Sequence, residues 1–220
     1  MTRTTGNRIV ILGGGGFGTF ARDLCEFTGN DPVGILDNFK AKGTKVNGCP
    51  VLGSTDLISD PDLRQTCEFV VAIRDFKLRR DWAEQVRSSG GRLASLIHPS
   101  VVISPSAMLG EGIMINAFSF VYANAKVGDL CLIESHCMIG TEIVIGEACM
   151  LAPGVHINRQ SRVGEDTFVG SCAVLSTNVT VGRNCVIGCG AAVVRDIPDD
   201  KVAAGVPARI LHDNVTRSSH

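Results

Sequence analysis

Six residues near the N-terminus, Gly13 to Gly18 in the order GGGGFG, follow the apolar run Arg8–Leu12 and open a helical pattern. A glycine-rich turn between a strand and a helix exposes backbone N–H groups beside the positive end of the helix dipole. Such a turn can hold a phosphate or the polar edge of a uracil ring. Gly13, Gly15 and Gly18 also fit the spacing GxGxxG, and Asp37 lies about 20 residues on, where a ribose-binding acid belongs. A nucleotide-linked sugar, a nicotinamide dinucleotide and a purely structural turn all remain open on these residues. Against the dinucleotide, the first ~95 residues make only half of a two-part dinucleotide fold. The side chains suited to proton transfer near pH 7 are five histidines: His98, His136, His156, and the tail residues His212 and His220. Free solvated imidazole is the bland reading of His136 and His156; a general base is the sharp one.

The elements that position these groups fall into two rhythms. Over residues 1–97 strand and helix signals alternate: RIVIL (8–12), a helix over 17–29 with Phe17, Phe20, Ala21, Leu24 and Phe27 on one face, PVGILD (32–37), EFVVAI (68–73), a helix over 78–91 and RLASLI (92–97). Ser54 or Thr55 caps a short helix through Ile58, with Pro61 after its end. Alternation of this kind argues a small Rossmann-like α/β domain on a parallel sheet.

Residues 98–220 read differently. From Val101 to Asp196 the chain divides into sixteen hexads without insertion, and all sixteen carry Ile, Leu or Val at position three. Position four is glycine in eight of them. Hexapeptide repeats mark a parallel β-helix. Alternation points positions one and three inward and two outward, and the following glycine, or another turn residue, is expected to let the chain bend at a corner. Three hexads make an eighteen-residue triangular coil. At about 4.8 Å per coil the five-odd coils stand roughly 25 Å tall. Such thin cores gain from lateral partners, so a symmetric oligomer is expected.

Composition narrows the field. Net charge near −1 and the absence of any Lys/Arg run argue against nucleic acid as a partner. No apolar run reaches membrane-spanning length, and the glycines at 13–16 break the N-terminal apolar run too early for a signal peptide. Nine cysteines occur without a CxxC pair. Four of them (Cys131, Cys137, Cys149, Cys185) recur at position one, where a small buried residue fits, so free thiols in a reducing cytoplasm are expected rather than metal or disulfides.

The segments VILGGGGFG, ILDNF, CPVLGS, VVAIRD, LIHPSVVISPSA, VIGEACMLAPG and IPDDKVAAGVPARI together resemble bacterial hexapeptide-repeat sugar O-/N-acyltransferases of the sialic-acid O-acetyltransferase and UDP-amino-sugar N-acetyltransferase type. The resemblance runs nearly end to end. It implies a left-handed β-helix, a homotrimer, acetyl-CoA as co-substrate in a groove between neighbouring prisms, no metal, and a nucleotide-linked sugar held by residues 1–97. By the same likeness Gly15, Gly16, Phe17, Asp37 and Asn38 line the nucleotide site, although many relatives carry His where Phe17 stands. CoA is expected against Gly170, Gly188, Pro207 and Arg209. Arg209 either meets a CoA phosphate or caps the last coil.

The catalytic position departs from the pattern. Relatives carry His followed by Asp or Glu in the segment that here reads GTEIVIG, and the imidazole is the general base. Aligned on the following VIG, that histidine is Thr141 here, with Glu142 keeping the carboxylate. A second family histidine falls on Met150. Threonine has no pKa near 7 and cannot replace imidazole. Three routes stay open: a relocated base at His136 or His156; attack by a sugar amine that needs no base, with Glu142 or Glu134 holding the amine; or a catalytically inactive trimer that only binds nucleotide-sugar. An amine is partly neutral at pH 7 and gains most from orientation and a polarised carbonyl. The missing imidazole therefore favours N-acylation over O-acylation, in surface glycan biosynthesis.

Overall fold

The computed structural model describes residues 6–214 of the 220-residue chain; His220 lies outside them. Two compact units divide between Pro99 and Ser100, with Glu111–Met114 going to the first.

In the first unit β1 (Arg8–Leu12), β2 (Asp31–Leu36), β3 (Lys45–Val46), β4 (Cys49–Gly53) and β5 (Glu68–Val71) form one sheet in the order β3-β4-β2-β1-β5. Pairings β1–β2, β1–β5 and β2–β4 are parallel. Ile9–Leu12 are fully buried, as a central parallel strand covered on both faces requires. The alternation of strands and helices did not announce the antiparallel edge hairpin β3–β4. Its turn is Asn47-Gly48, both at positive φ (46° and 82°), a pair that suits a tight hairpin.

Helix α1 (Gly16–Phe27) buries Gly18, Ala21, Leu24 and Cys25. The stripe is rotated from the expected one: Phe17 and Phe20 are half-buried and Phe27 is 62% exposed. Gly18 sets that rotation, because a Cβ there would strike the carbonyl oxygen of Gly13. Thr55–Ser59 is a short 3₁₀ helix with Pro61 after its end, as expected; Ser54 precedes it but makes no side-chain cap bond, donating instead to Asp56 Oδ2 at 2.9 Å, and Pro61 also begins a helix of its own. In α2 (Pro61–Thr66) Pro61 occupies the first turn, and the Asp60 carboxylate accepts from Leu63 N at 3.0 Å. Helix α3 (Phe76–Ser88) starts two residues earlier than the pattern suggested because Asp75 caps it, accepting from Leu78 N at 2.8 Å. Residues 92–97 do not form one strand; Leu93 bridges Phe69, and Leu96–Ile97 is a separate two-residue strand. The His98 ring meets the Phe27 ring edge-on at 4.9 Å.

The second unit is the left-handed parallel β-helix. Every hexad contributes a two-residue strand at positions two and three, from Val102–Ile103 to Ala192–Val193. Each pairs in parallel with the strand eighteen residues away, as Met138 with Phe120 and with His156. Positions one and three are buried in every hexad from Ile113 to Val193. Lys201–Ala204 continues one face beside Val186–Ile187, and Arg209–Asp213, which contains His212, returns antiparallel to it.

The corners are built differently from the expected glycine bend. None of the eight position-four glycines has positive φ; fourteen of the sixteen position-six residues do, among them Phe118, His136, Glu142, Ala148, Gln160 and Cys172 at 56° to 61°. Position four is glycine because the coils nearly touch there. A Cβ on Gly146 would lie 2.5 Å from Glu165 N, and one on Gly128 would lie 2.8 Å from Glu147 N. The left-handed residue and the glycine are therefore separate requirements two positions apart.

The interior carries a second ladder. At position one, Ser119, Ser161 and Thr167 donate to carbonyls fifteen residues on (Glu134, Ser176, Gly182) at 2.7–3.0 Å. Cys131 and Cys149 thiols do the same toward Gly146 and Gly164 at 3.2 and 3.0 Å. Small side chains with one donor suit this phase, which accounts for the recurring cysteines. All nine cysteines are free; burial, the dominant cause, pushes the Cys25 and Cys137 thiols up to about 12. Only Cys172 and Cys189 are exposed.

Three expectations follow. Gly146→Ala should destabilise by about 2 kcal/mol or more, since backbone must shift, whereas Cys172→Gly should be neutral or stabilise by up to about 1 kcal/mol by relieving a left-handed residue. Urea unfolding of the two variants checks the contrast; equal effects would refute the separation of roles. A native thiol titration with Ellman's reagent should label two cysteines rapidly and seven only after denaturation. As the folded-state pKa of Cys25 and Cys137 is raised, their contribution is intact below the unfolded value near 9 and is lost between about pH 9 and 12.

Candidate active site

In the first unit the glycine turn meets the loop after β2. The N-terminus of α1, at Gly15, has no side-chain cap and no acidic residue in its first turn. Gly15 and Gly16 are exposed, and a Cβ on either would meet nothing within 4 Å. The N-terminus of α1 is therefore uncapped and open at these two glycines, as an anion site requires. Asp37 is committed to the backbone: its Oδ2 accepts from Gly14 N at 2.7 Å, and its Oδ1 accepts from Phe39 N at 2.8 Å and Lys40 N at 3.0 Å. Asn38 Oδ1 accepts from Thr55 N and Oγ1 at 2.9 and 3.0 Å. Both residues shape the loop; whatever they give a ligand is left over from that work. Phe17, by contrast, is half-buried on the first turn of α1.

Two neighbours went unnoticed in the sequence. The Lys40 stem crosses the turn, with Cδ and Cε 3.0 Å from where a Gly14 Cβ would be. That brings an ammonium-bearing side chain to the anion site. Phe39 beside it is 97% exposed. Fully buried Arg79 braces the opposite wall. Its Nε and Nη2 donate to Ile73 O at 3.0 and 2.8 Å, and a Gly13 Cβ would lie 3.0 Å from Ala72 O.

In the second unit the strand Met138–Ile139 separates two corners. Thr141 and Glu142 lie at the corner after it, Glu134 and His136 at the corner before it. The Glu142 carboxylate accepts from Gln160 Nε2 at 2.8 Å. Glu142, Gln160, Arg162 and Asn178 line a polar recess of about 470 Å³. Glu142, Gln160 and Asn178 are eighteen residues apart and stack at position six of successive coils, at φ of 58° to 60°. Thr141 O accepts from Gln160 N at 3.0 Å, which ties the same two coils.

Among the described residues of one chain, no imidazole lines that recess. His136 is up to about 16 Å from Thr141 along one strand length, at the opposite corner, with its ring 5.2 Å from Phe118. His156 sits mid-face between Met138 and Val174 in the ladder. Glu134 shares the His136 corner, not that of Glu142. Met150 is buried. Gly170 and Gly188 occupy position four at the His136 corner, where coil stacking already demands glycine: a Gly170 Cβ would lie 2.7 Å from Cys189 N, and a Gly188 Cβ 2.7 Å from Ala204 Cβ. Pro207 and Arg209 are exposed beyond the same face, and Arg209 Nη1 donates to Ala208 O at 3.0 Å.

No helix among the described residues is long and apolar enough to cross a membrane, and no group of His, Cys, Asp or Glu among them is arranged to hold a metal ion.

Comparison with known proteins supplies the family. Residues 8–86 match the model of the PglD N-terminal domain. A GDP-perosamine N-acetyltransferase of Escherichia coli O157:H7 is 27% identical over 123 residues, 54% of this chain and 55% of that enzyme, so the chain spans about half the length of this curated relative. Among solved structures, PerB from Caulobacter crescentus in complex with CoA and GDP-perosamine is 34% identical. It covers 94% of this chain, is itself covered to 98%, and gives a TM-score of 0.88. The acetyltransferase domain of PglB from Neisseria gonorrhoeae is 29% identical over 93% of this chain and 100% of that domain, with a TM-score of 0.86. A PglD-type glycine-turn domain followed by a hexapeptide prism, matched to PerB from one end to the other, means that the chain belongs to the PerB family of sugar N-acetyltransferases.

Proposed function

We propose that this protein transfers an acetyl group from acetyl-CoA to the amino group of a nucleotide-linked amino sugar, in the cytoplasm, during surface-polysaccharide biosynthesis. The observation that carries the reading is the end-to-end likeness to PerB, whose structure holds CoA and GDP-perosamine. The open α1 terminus with Lys40 beside it suits the diphosphate of such a sugar. Gly15, Gly16, Phe17, Asp37 and Asn38 are proposed to border the nucleotide.

At the prism corner, Glu142 is the residue proposed to hold the incoming amine. Gln160 fixes one carboxylate oxygen and leaves the other for the ammonium, so the carboxylate need not reorganise on binding. Once that ammonium has lost one proton to solvent, the neutral amine attacks the thioester carbonyl carbon, the C–N bond forms, and the C–S bond breaks to release CoA thiolate. The proton lost from nitrogen ends on that thiol through Glu142 or solvent. Thr141 at the same corner is proposed to contact substrate through its hydroxyl and not to act as a base.

The proposed CoA contacts Gly170, Gly188, Pro207 and Arg209 lie at the other corner from Glu142. A site that uses both sets must draw them from two chains, which supports a homotrimer with CoA between prisms. The face between the two corners is suited to such packing: its outward residues are Val102, Phe120, Met138, His156, Val174 and Ala192, with Phe120 42% and Val174 39% exposed.

Thiol release from acetyl-CoA should appear with GDP-, UDP- or dTDP-linked 4-amino sugars and not with their hydroxyl counterparts. Its rate should rise with pH along a single ionisation near 8, that of the amine. His136→Asn and His156→Asn should each keep kcat/KM within about twofold, while Glu142→Gln should raise KM about 10-fold or more, the worth of a charge-assisted contact. A collapse of turnover in either histidine variant would restore the relocated base and with it O-acylation. Light scattering should give about 70 kDa, three times the 23.3 kDa chain. Val174→Asp should lower both the mass and the turnover; an active monomer would refute the shared site.

A further inference from the structure

Phe39 is the most exposed large apolar side chain among the described residues. Single exposed apolar residues are common and by themselves mean nothing; the position of this one gives it meaning. One carboxylate, that of Asp37, joins Phe39 to the glycine turn, because Oδ1 holds Phe39 N and Oδ2 holds Gly14 N. The loop is pinned on either side as well. Asp37 N donates to Gly53 O at 2.9 Å, and Asn38 is tied to Thr55. The Phe39 backbone is thus fixed one carboxylate's width from the turn, while its ring is left bare.

We infer that Phe39 is the platform on which the nucleobase of the sugar nucleotide stacks. This rests on the nucleotide-sugar reading above and adds to it the residue that binds the base. If the diphosphate lies against the α1 terminus and Lys40, the ribose and base extend past Asp37, and Phe39 is the aromatic surface next in line. A phenyl ring has only two side-chain torsions to order, and its backbone is already fixed, so little freedom is lost on stacking. Stacking needs no hydrogen-bond pattern and tolerates any base, but a two-ring purine covers more of the phenyl face than a pyrimidine does. Guanine should therefore depend on Phe39 more than uracil.

Calorimetric titration of GDP and UDP into wild type and Phe39→Ala tests the inference. Stacking on an aromatic is worth about 5- to 150-fold in Kd per base. Phe39→Ala should weaken GDP within that range, UDP by less, and should raise the acceptor KM while leaving kcat at saturation unchanged. Phe39→Leu should recover little, since it restores bulk without a π face. The side chain is solvent-facing, so these variants keep the fold, which the melting temperature verifies. A GDP loss below fivefold in Phe39→Ala, or a variant whose only change is in oligomeric mass, overturns the stacking role while leaving the nucleotide site standing. Failure of the wild type to bind either nucleotide overturns the underlying reading instead.

Discussion

The hydrogen bonds between one coil and the next, repeated every eighteen residues, constrain everything else in the prism. Each outgoing N–H finds the carbonyl of the adjacent coil, as Gly146 N does Val163 O and Gly164 N does Val181 O, both at 2.8 Å. The spacing is set near 4.8 Å by that bond alone. At this separation a Cβ on any of the eight position-four glycines would lie less than 3.0 Å from the next coil, so glycine is selected at those corners for closeness and not for freedom of φ. The turn must then be made elsewhere, and position six takes the left-handed conformation. Some of the cost, about 1 kcal/mol for an ordinary L-residue, is removed where Gly, Asn or Asp occupies the position, as at Gly112, Asn124, Gly154, Asp166, Asn178, Asn184 and Gly190. Where Glu142 and Gln160 stand, that cost is accepted.

The same constraint decides how much of the site the sequence could disclose. The prism was legible because a six-residue period has few physical solutions: buried positions one and three, and the eighteen-residue pairing, follow from strand alternation and three-sided closure. The role of glycine was misread because φ and proximity both select glycine, and only coordinates tell them apart. Gln160 and Asn178 could have been found. Taking every eighteenth residue from Glu142 gives both, and Arg162 begins the next strand. A histidine expected at position 141 directs attention to other histidines, whereas the informative residues are the neighbours of the carboxylate that remains. Distances in sequence also misled: His136 is five residues from Thr141 yet faces another corner, whereas Gln160 is eighteen residues from Glu142 and bonds to it.

In the first unit, the central strands were plain from their apolar runs, because a parallel strand covered on both faces tolerates little else. Short elements fixed by single capping residues were not. Asp60 and Asp75 start α2 and α3 through one hydrogen bond each, and Asn47-Gly48 makes a hairpin from two-residue pairing; none of these has enough length to show a period. Asp37 was picked out as a ribose-binding acid, and its backbone work was not foreseen. It lies about 20 residues beyond the turn, where a ribose-binding acid belongs, and the structure adds that its carboxylate builds the turn-to-loop connection carrying Phe39 and Lys40.

The loss of imidazole carries a chemical consequence that the geometry sharpens. At pH 7 about one tenth of an amine of pKa near 8 is neutral, while an alcohol, about as acidic as water at a pKa of ~16, offers about one alkoxide in 10⁹. A base matters little to the first and greatly to the second. Glu142 does not close that gap, because a carboxylate is too weak a base to replace imidazole in drawing a proton from a hydroxyl. Its negative charge would act the other way, favouring the ammonium form of the proposed substrate. In that proposed reaction the carboxylate and its Gln160 clamp would work chiefly in capture and orientation, at some cost in nucleophilicity that rising pH relieves. A corner built in this manner suits a nitrogen nucleophile and is poorly equipped for an oxygen one.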